Sequence, residues 1–207
     1  MKTYSKIYAS SIIAGCVAFT MLITSCQKDE DAAAPMSTTS YTSGSTETSA
    51  ERNSFPTNLP ALLEVPAGNE IVYHTYATGF QIYTCTETAP GVYAWVFTAP
   101  QAALYANYGN NGSNVGTHYA GPTWESNSGS KVVGIKLQGV TVNATAIPWL
   151  KLGVVSTQGP GIFEDVTFIQ RVNTVGGLAP ATGANANTVG QQAAIPYTAE
   201  YFFYKVQ

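Results

Sequence analysis

Charge is scarce in this chain. From Pro56 onward only twelve residues in 152 are Lys, Arg, Asp or Glu, against roughly a quarter of an ordinary globular sequence. No Lys/Arg cluster exists, so no nucleic-acid partner is expected. Solubility must come from Thr, Asn, Ser, Gln and Tyr. Histidine is scarcer still: His74 and His118 lie 44 positions apart, without the close spacing of a metal site, and no metal or other cofactor is expected. Cys16, Cys26 and Cys85 are the three cysteines. No Gly-x-Gly-x-x-Gly follows a strand and no Gly-x-Ser-x-Gly elbow occurs, so nothing points to a dinucleotide site or a serine nucleophile. No internal repeat is evident. Helix periodicity is absent after the first 25 residues, except for a short turn suggested at Ala99–Ala103.

What the chain does have begins at its N-terminus. Lys2 and Lys6 precede an apolar run from Ile7 to Ile23, and Leu22-Ile23-Thr24-Ser25-Cys26 closes it. A basic start, an apolar middle and small residues before a cysteine make a lipoprotein signal peptide over 1–25, with Cys26 as the lipidated residue. Seventeen residues diluted by Ser10, Ser11, Gly15 and Thr20 are short for a membrane span. The expected partner is therefore a membrane, held through acyl chains on Cys26. Gln27-Lys28-Asp29-Glu30-Asp31 resembles the export signal of Bacteroidota-type surface lipoproteins. The expected location is the outer membrane facing the cell surface, with its periplasmic face as the alternative.

Without residues 1–25, 182 residues remain, carrying seven basic and twelve acidic side chains. Residues 26–55 are rich in Ser, Thr and Ala and hold almost no large apolar residue. Such a segment cannot bury enough surface to order itself and reads as a flexible tether. Phe55-Pro56 marks the change to globular composition, so 56–207 reads as one domain.

Within it, short runs of β-branched and aromatic residues alternate with Gly, Pro and Asn turns. Strands are predicted over 70–77, 80–87, 92–98, 115–119, 131–138, 149–155, 166–172 and 197–206. Turns are predicted at Thr78-Gly79, Pro90-Gly91, Asn111-Gly112, Ser128-Gly129 and Gln158-Gly159-Pro160-Gly161. The pattern indicates an all-β domain, an antiparallel β-sandwich or jelly-roll-like barrel. Lys131, Val133, Ile135 and Leu137 would share one face of their strand, and Val132, Gly134, Lys136 and Gln138 the other. The Gly/Ala/Asn/Thr-rich stretch 173–195 reads as a weakly packed surface loop. Cys85, in a strand, reads as a buried small hydrophobe.

Several motifs fall in one order along the chain. They are Gln81-Ile82-Tyr83-Thr84-Cys85, Thr117-His118-Tyr119-Ala120-Gly121-Pro122-Thr123-Trp124-Glu125, Ile147-Pro148-Trp149-Leu150, Phe168-Ile169-Gln170-Arg171-Val172-Asn173-Thr174-Val175-Gly176-Gly177 and the closing Tyr197-Thr198-Ala199-Glu200-Tyr201-Phe202-Phe203-Tyr204. Together they resemble the domain-of-unknown-function family 3455, over about Leu59 to Lys205. The resemblance implies a secreted bacterial or fungal setting and brings no established activity. Some members carry a malate dehydrogenase label, which nothing in this sequence supports. Many relatives have a cysteine shortly after the Gly-Gly-x-Ala-Pro element, implying a partner for the position of Cys85. Here Ala181-Thr182-Gly183-Ala184-Asn185 lacks it.

The densest polar constellation is His118, Tyr119, Trp124 and Glu125, with Arg171 as a partner from a distant strand. His118 and Glu125 could act as a general acid/base pair, with Arg171 orienting an anionic or polyhydroxylated substrate. Tyr119, Trp124 and Trp149 are candidate ligand-binding aromatics, able to stack on a sugar ring. The structural alternative is a Glu125–Arg171 ion pair between strands, a His118 that bonds a backbone carbonyl, and a Gly121-Pro122 turn before a Trp124 core anchor. Two functions remain open: a non-catalytic binding or structural module at the cell envelope, engaging glycans or small molecules, and an enzyme built on Glu125 and His118.

Overall fold

The structure is a computed structural model that describes residues 56, 58–110 and 112–207. The expected signal peptide, the expected lipidation site Cys26 and the whole of the expected tether 26–55 lie outside those residues. The described residues fall within one compact unit. Eight antiparallel strands follow one another around a closed barrel, each paired with its neighbour in sequence and the last with the first. They are β1 Asn69–Ala89, β2 Val92–Tyr105, β3 Asn114–Tyr119, β4 Thr123–Ser126, β5 Lys131–Val140, β6 Trp149–Gln158, β7 Val166–Gly176 and β8 Gln192–Val206. The all-β expectation holds, and the sheet takes the barrel alternative in its simplest connectivity, a meander closed on itself.

β1 closes the barrel. Its first part pairs with β8, from Asn69↔Val206 to Thr84↔Gln192, and its second with β2, from Tyr76↔Tyr105 to Ala89↔Val92. The turn predicted at Thr78-Gly79 is therefore mid-strand. A Cβ on Gly79 would lie 2.1 Å from the Gln101 carbonyl oxygen and 2.5 Å from Ala102 Cα. Gly79 marks a close backbone approach rather than a reversal. The helical turn suggested at Ala99–Ala103 is likewise strand. Pro90-Gly91 does turn the chain, with Gly91 at φ +73°, as a Pro-Gly pair favours.

An eight-stranded barrel has room inside for packed side chains or one small ligand, and part of this one is filled by packed side chains. Phe163, from the β6–β7 connection, packs with Phe203 and Tyr73 at centroid distances of 4.8 and 5.9 Å. Ile169, Val132, Leu152 and Trp124 complete this inner core. Outside the barrel a second cluster gathers Trp149, Val172, Phe202 and Tyr204 beneath Leu63. Leu63 ends the 3-10 turn Ala61–Leu63. Gln170, fully buried, fixes the Leu63 segment to the outer face of the sheet: its amide donates to the Leu63 carbonyl at 2.7 Å, and its carbonyl accepts from the Tyr204 hydroxyl.

Between β7 and β8 the expected surface loop is shorter than predicted and, as expected, weakly buried, with Gly177 alone buried among residues 177–191. Strands consume both ends of 173–195, leaving 177–191. Trp95 Nε1 donates to the Thr182 carbonyl at 2.9 Å, and backbone bonds join Cys85 to Gln191 and Gly190. Small side chains let the loop lie against β1, where hydrogen bonds replace apolar burial. Cys85 is buried as expected. Its Sγ lies 3.3 Å from Thr188 Oγ1 and 3.8 Å from the Asn185 carbonyl.

Candidate functional site

One end of the barrel is open. A cavity of about 780 Å³ enters there, between the β3–β4 turn at Gly121-Pro122 and the β5–β6 connection at Ile147-Pro148, and residues from all eight strands line it. Its walls are mainly apolar: Leu150 and Leu152 on β6, Ile135 on β5, Phe97 on β2. Phe97, Ile135 and Val155 are also solvent-exposed, which makes an apolar rim. Of the two β5 faces, the interior takes Val132 and Gly134. Ile135 and Leu137 are exposed, and the pairing shifts between Val133 and Gly134, as a bulge would produce.

The inner wall is polar. Successive strand residues face opposite sides, and the pairs His118↔Trp124 and Arg171↔Tyr201 set all four side chains along the cavity. The His118 ring stacks on Trp124, centroids 4.3 Å apart and planes 13° apart. Its Nδ1–H donates to the Thr123 carbonyl at 2.9 Å. Burial, offset in part by that bond and reinforced by the nearby Arg171 charge, lowers the imidazole pKa to about 3. His118 is therefore neutral at physiological pH. The backbone-carbonyl and core-anchor alternatives for His118 and Trp124 describe what the structure contains.

Arg171 reaches in from β7. Its Nε and Nη2 both donate to the Pro148 carbonyl, at 3.2 and 2.8 Å. The Tyr201 hydroxyl pKa is raised by burial, with Arg171 and Tyr197 close enough to oppose the shift. That of Tyr197 is also raised, chiefly by burial and then by Tyr201, with Arg171 and Gln81 opposing. Both phenols stay protonated. Neither hydroxyl makes a hydrogen bond of standard geometry, nor do Gln81 Nε2 and Trp124 Nε1, although all four atoms are buried. Gly177, at φ +79°, lies behind them, where a Cβ would come within 2.9 Å of Tyr197 Cβ and 3.1 Å of Gln81 Cγ.

Glu125 is not part of this group. It neighbours Trp124 on β4, so it faces the outside. There Tyr119 donates to it at 2.7 Å and Lys131 lies 3.4 Å away. The Tyr119 bond, and secondarily Lys131, hold its carboxyl below the usual range. The expected Glu125–Arg171 ion pair does not form, because the two side chains point to opposite faces of the barrel wall. Tyr119 shares the outer face with Glu125. Trp149 sits in the outer cluster beneath Leu63, away from the cavity. The structure thus brings together His118, Trp124 and Arg171 and separates them from Glu125, Tyr119 and Trp149. Sequence reasoning missed Gln81, Tyr197 and Tyr201, although all three stand in motifs that carry the family resemblance.

The second histidine, His74, is on the outer face, stacked on Phe202 at 4.0 Å and paired with Glu200 at 3.0 Å. Among the described residues no three His, Cys, Asp or Glu side chains converge as a metal site would need. Searches among curated proteins and among solved structures returned no match. A family model does match, over residues 66–205, described as a protein of unknown function. That span holds the whole closed sheet but for its last residue, Val206, and every residue lining the cavity, and by it this chain belongs to the DUF3455 family.

Proposed function

We propose that this protein is a non-catalytic binding module of the cell envelope, anchored to the outer membrane through lipid on Cys26, whose barrel interior takes up a small molecule. The observation that carries the reading is the cavity of about 780 Å³, open at one end and lined from every strand. Its size lies within the range of small-molecule sites, and a mainly apolar wall with a few convergent polar groups is how such sites are built. A glycan is the weaker candidate ligand. Trp124 and Trp149 are buried, so neither offers a sugar an exposed ring to stack on. The enzyme alternative loses its carboxylate, since Glu125 lies across the barrel wall from His118, and a neutral imidazole held near pKa 3 is a poor general acid or base at neutral pH.

Titration of the Ser45–Gln207 unit with the neutral dye N-phenyl-1-naphthylamine tests the cavity. Saturable binding to one site is expected, weakened at least tenfold by Leu150→Trp, which fills the space. No binding, or binding indifferent to that substitution, overturns the reading. Anchoring has its own test. Fatty-acid label should enter the protein in cells and vanish in Cys26→Ser, and protease added to intact cells should cut the 26–55 segment. Protection until the outer membrane is opened would place the protein on the periplasmic face.

A further inference from the structure

The polar inner wall of the cavity has more hydrogen-bond donors than acceptors, and one charge that nothing neutralises. Of its lining residues, Arg171 and Lys136 are cationic, His118 is neutral, and none is Asp or Glu. The ion pairs among the described residues are His74–Glu200 and Lys131–Glu125, and both stand on the outer face. Arg171 therefore holds its charge at the cavity wall against the Pro148 carbonyl, with the Tyr201 hydroxyl beside it and no carboxylate. A guanidinium partly withdrawn from water without a carboxylate is costly. It is also the group best shaped to grip one.

The neighbours of Arg171 point the same way. Trp124 Nε1 can only donate and is buried without a partner, and Gln81 Nε2, also a donor, has the Tyr197 hydroxyl beside it without a bond of standard geometry. The Tyr201 and Tyr197 hydroxyls, kept protonated by burial, lie beside one another, with Arg171 next to Tyr201 and Gln81 next to Tyr197, but make no hydrogen bond of standard geometry. Buried polar atoms are nearly always satisfied, so a cation without a carboxylate, beside donors that the chain's own acceptors satisfy poorly, calls for an acceptor from outside the chain. On the reading of the cavity as a binding site, we infer that its ligand is a small amphipathic anion. A carboxylate or similar acceptor-only head meets Arg171 beside Tyr201, and an apolar chain or ring system lies along Leu150, Leu152 and Phe97 toward the rim.

Competition on the Ser45–Gln207 unit tests this, since it contains the complete closed sheet and both apolar clusters. With N-phenyl-1-naphthylamine bound, decanoate should displace the dye at a concentration at least tenfold lower than decyltrimethylammonium, which has the same chain with the opposite charge. Methyl decanoate should fall behind decanoate as well. Arg171→Gln should abolish the preference, bringing the concentrations of decanoate and decyltrimethylammonium needed for displacement to within about twofold of one another. The wild-type comparison stands alone if that variant fails to fold. Equal displacement by the three compounds overturns the anion inference and leaves the cavity reading intact. Failure of the dye itself to bind overturns both.

Discussion

His118 lies flat on Trp124, their planes 13° apart, and the ring is buried inside the barrel with one hydrogen bond, to the Thr123 carbonyl. That arrangement makes the protein sensitive to acid. Unfolded, the imidazole takes up a proton near pH 6.5. Folded, it refuses one until about pH 3, because burial penalises the charged form. Between those values the unfolded chain binds more protons, so stability is complete above pH 6.5 and falls as pH drops toward 3, by about 1.4 kcal/mol per unit. Denaturant unfolding from pH 3 to 8 should show this slope, and His118→Phe should flatten it. The same slope in the variant would assign it to other groups.

The outer cluster yields a second prediction. Leu63 is completely buried against Trp149, Val172, Phe202 and Tyr204, and its carbonyl holds Gln170. Leu63→Ala keeps the backbone bond and opens a cavity, a change that costs about 2–5 kcal/mol in a packed core. Urea denaturation should shift its midpoint accordingly. A near-neutral outcome would mean that the segment before β1 covers the sheet without stabilising it.

Most of the strands were readable because β-branched and aromatic runs sit between genuine turn signals such as Pro90-Gly91. Strand β4 was not. Four residues give too short a stretch for alternation to register, and without β4 the sequence offers no reason to place Trp124 and Glu125 on opposite faces. The candidate site therefore absorbed Glu125 and its outer neighbour Tyr119. Gly79 misled in another way: a glycine needed for close backbone approach looks the same in sequence as a glycine needed for a turn. Barrel closure, with β1 paired to β8 across more than a hundred residues, is a long-range relationship that no local pattern carries. The interior tyrosines Tyr197 and Tyr201 passed as ordinary strand aromatics, since only closure shows that their hydroxyls meet Arg171.

The β7–β8 loop can be locked to the wall. Cys85 Sγ and Thr188 Oγ1 lie 3.3 Å apart, so a thiol at position 188 needs only a small shift to form a disulfide. Thr188→Cys should stabilise the oxidised domain by about 2–4 kcal/mol. The gain should disappear on reduction, where the lost Thr188 hydrogen bonds to Gly183 and Asn185 make the variant weaker than the parent. Melting temperatures with and without dithiothreitol read this directly. An oxidised variant no more stable than wild type would show that the bridge strains the loop.

Glu125 and Arg171 provide the sharpest comparison, because a partly buried ion pair and two independent side chains respond differently to paired substitution. Glu125 bonds Tyr119 and Lys131 on the outer face, and its depressed pKa comes from those two groups. Arg171 bonds Pro148 on the inner face. Glu125→Gln should leave the melting temperature close to wild type and ligand uptake unchanged, since surface pairs of this kind contribute little. Arg171→Gln should alter uptake, and the double variant should show the sum of the two single effects in both readouts, as separated sites do. The cycle needs four proteins, thermal unfolding for stability and decanoate competition for binding. A coupling clearly different from zero in the melting data would restore the ion pair across the barrel wall. A loss of decanoate preference in Glu125→Gln alone would bring that carboxylate back into the site.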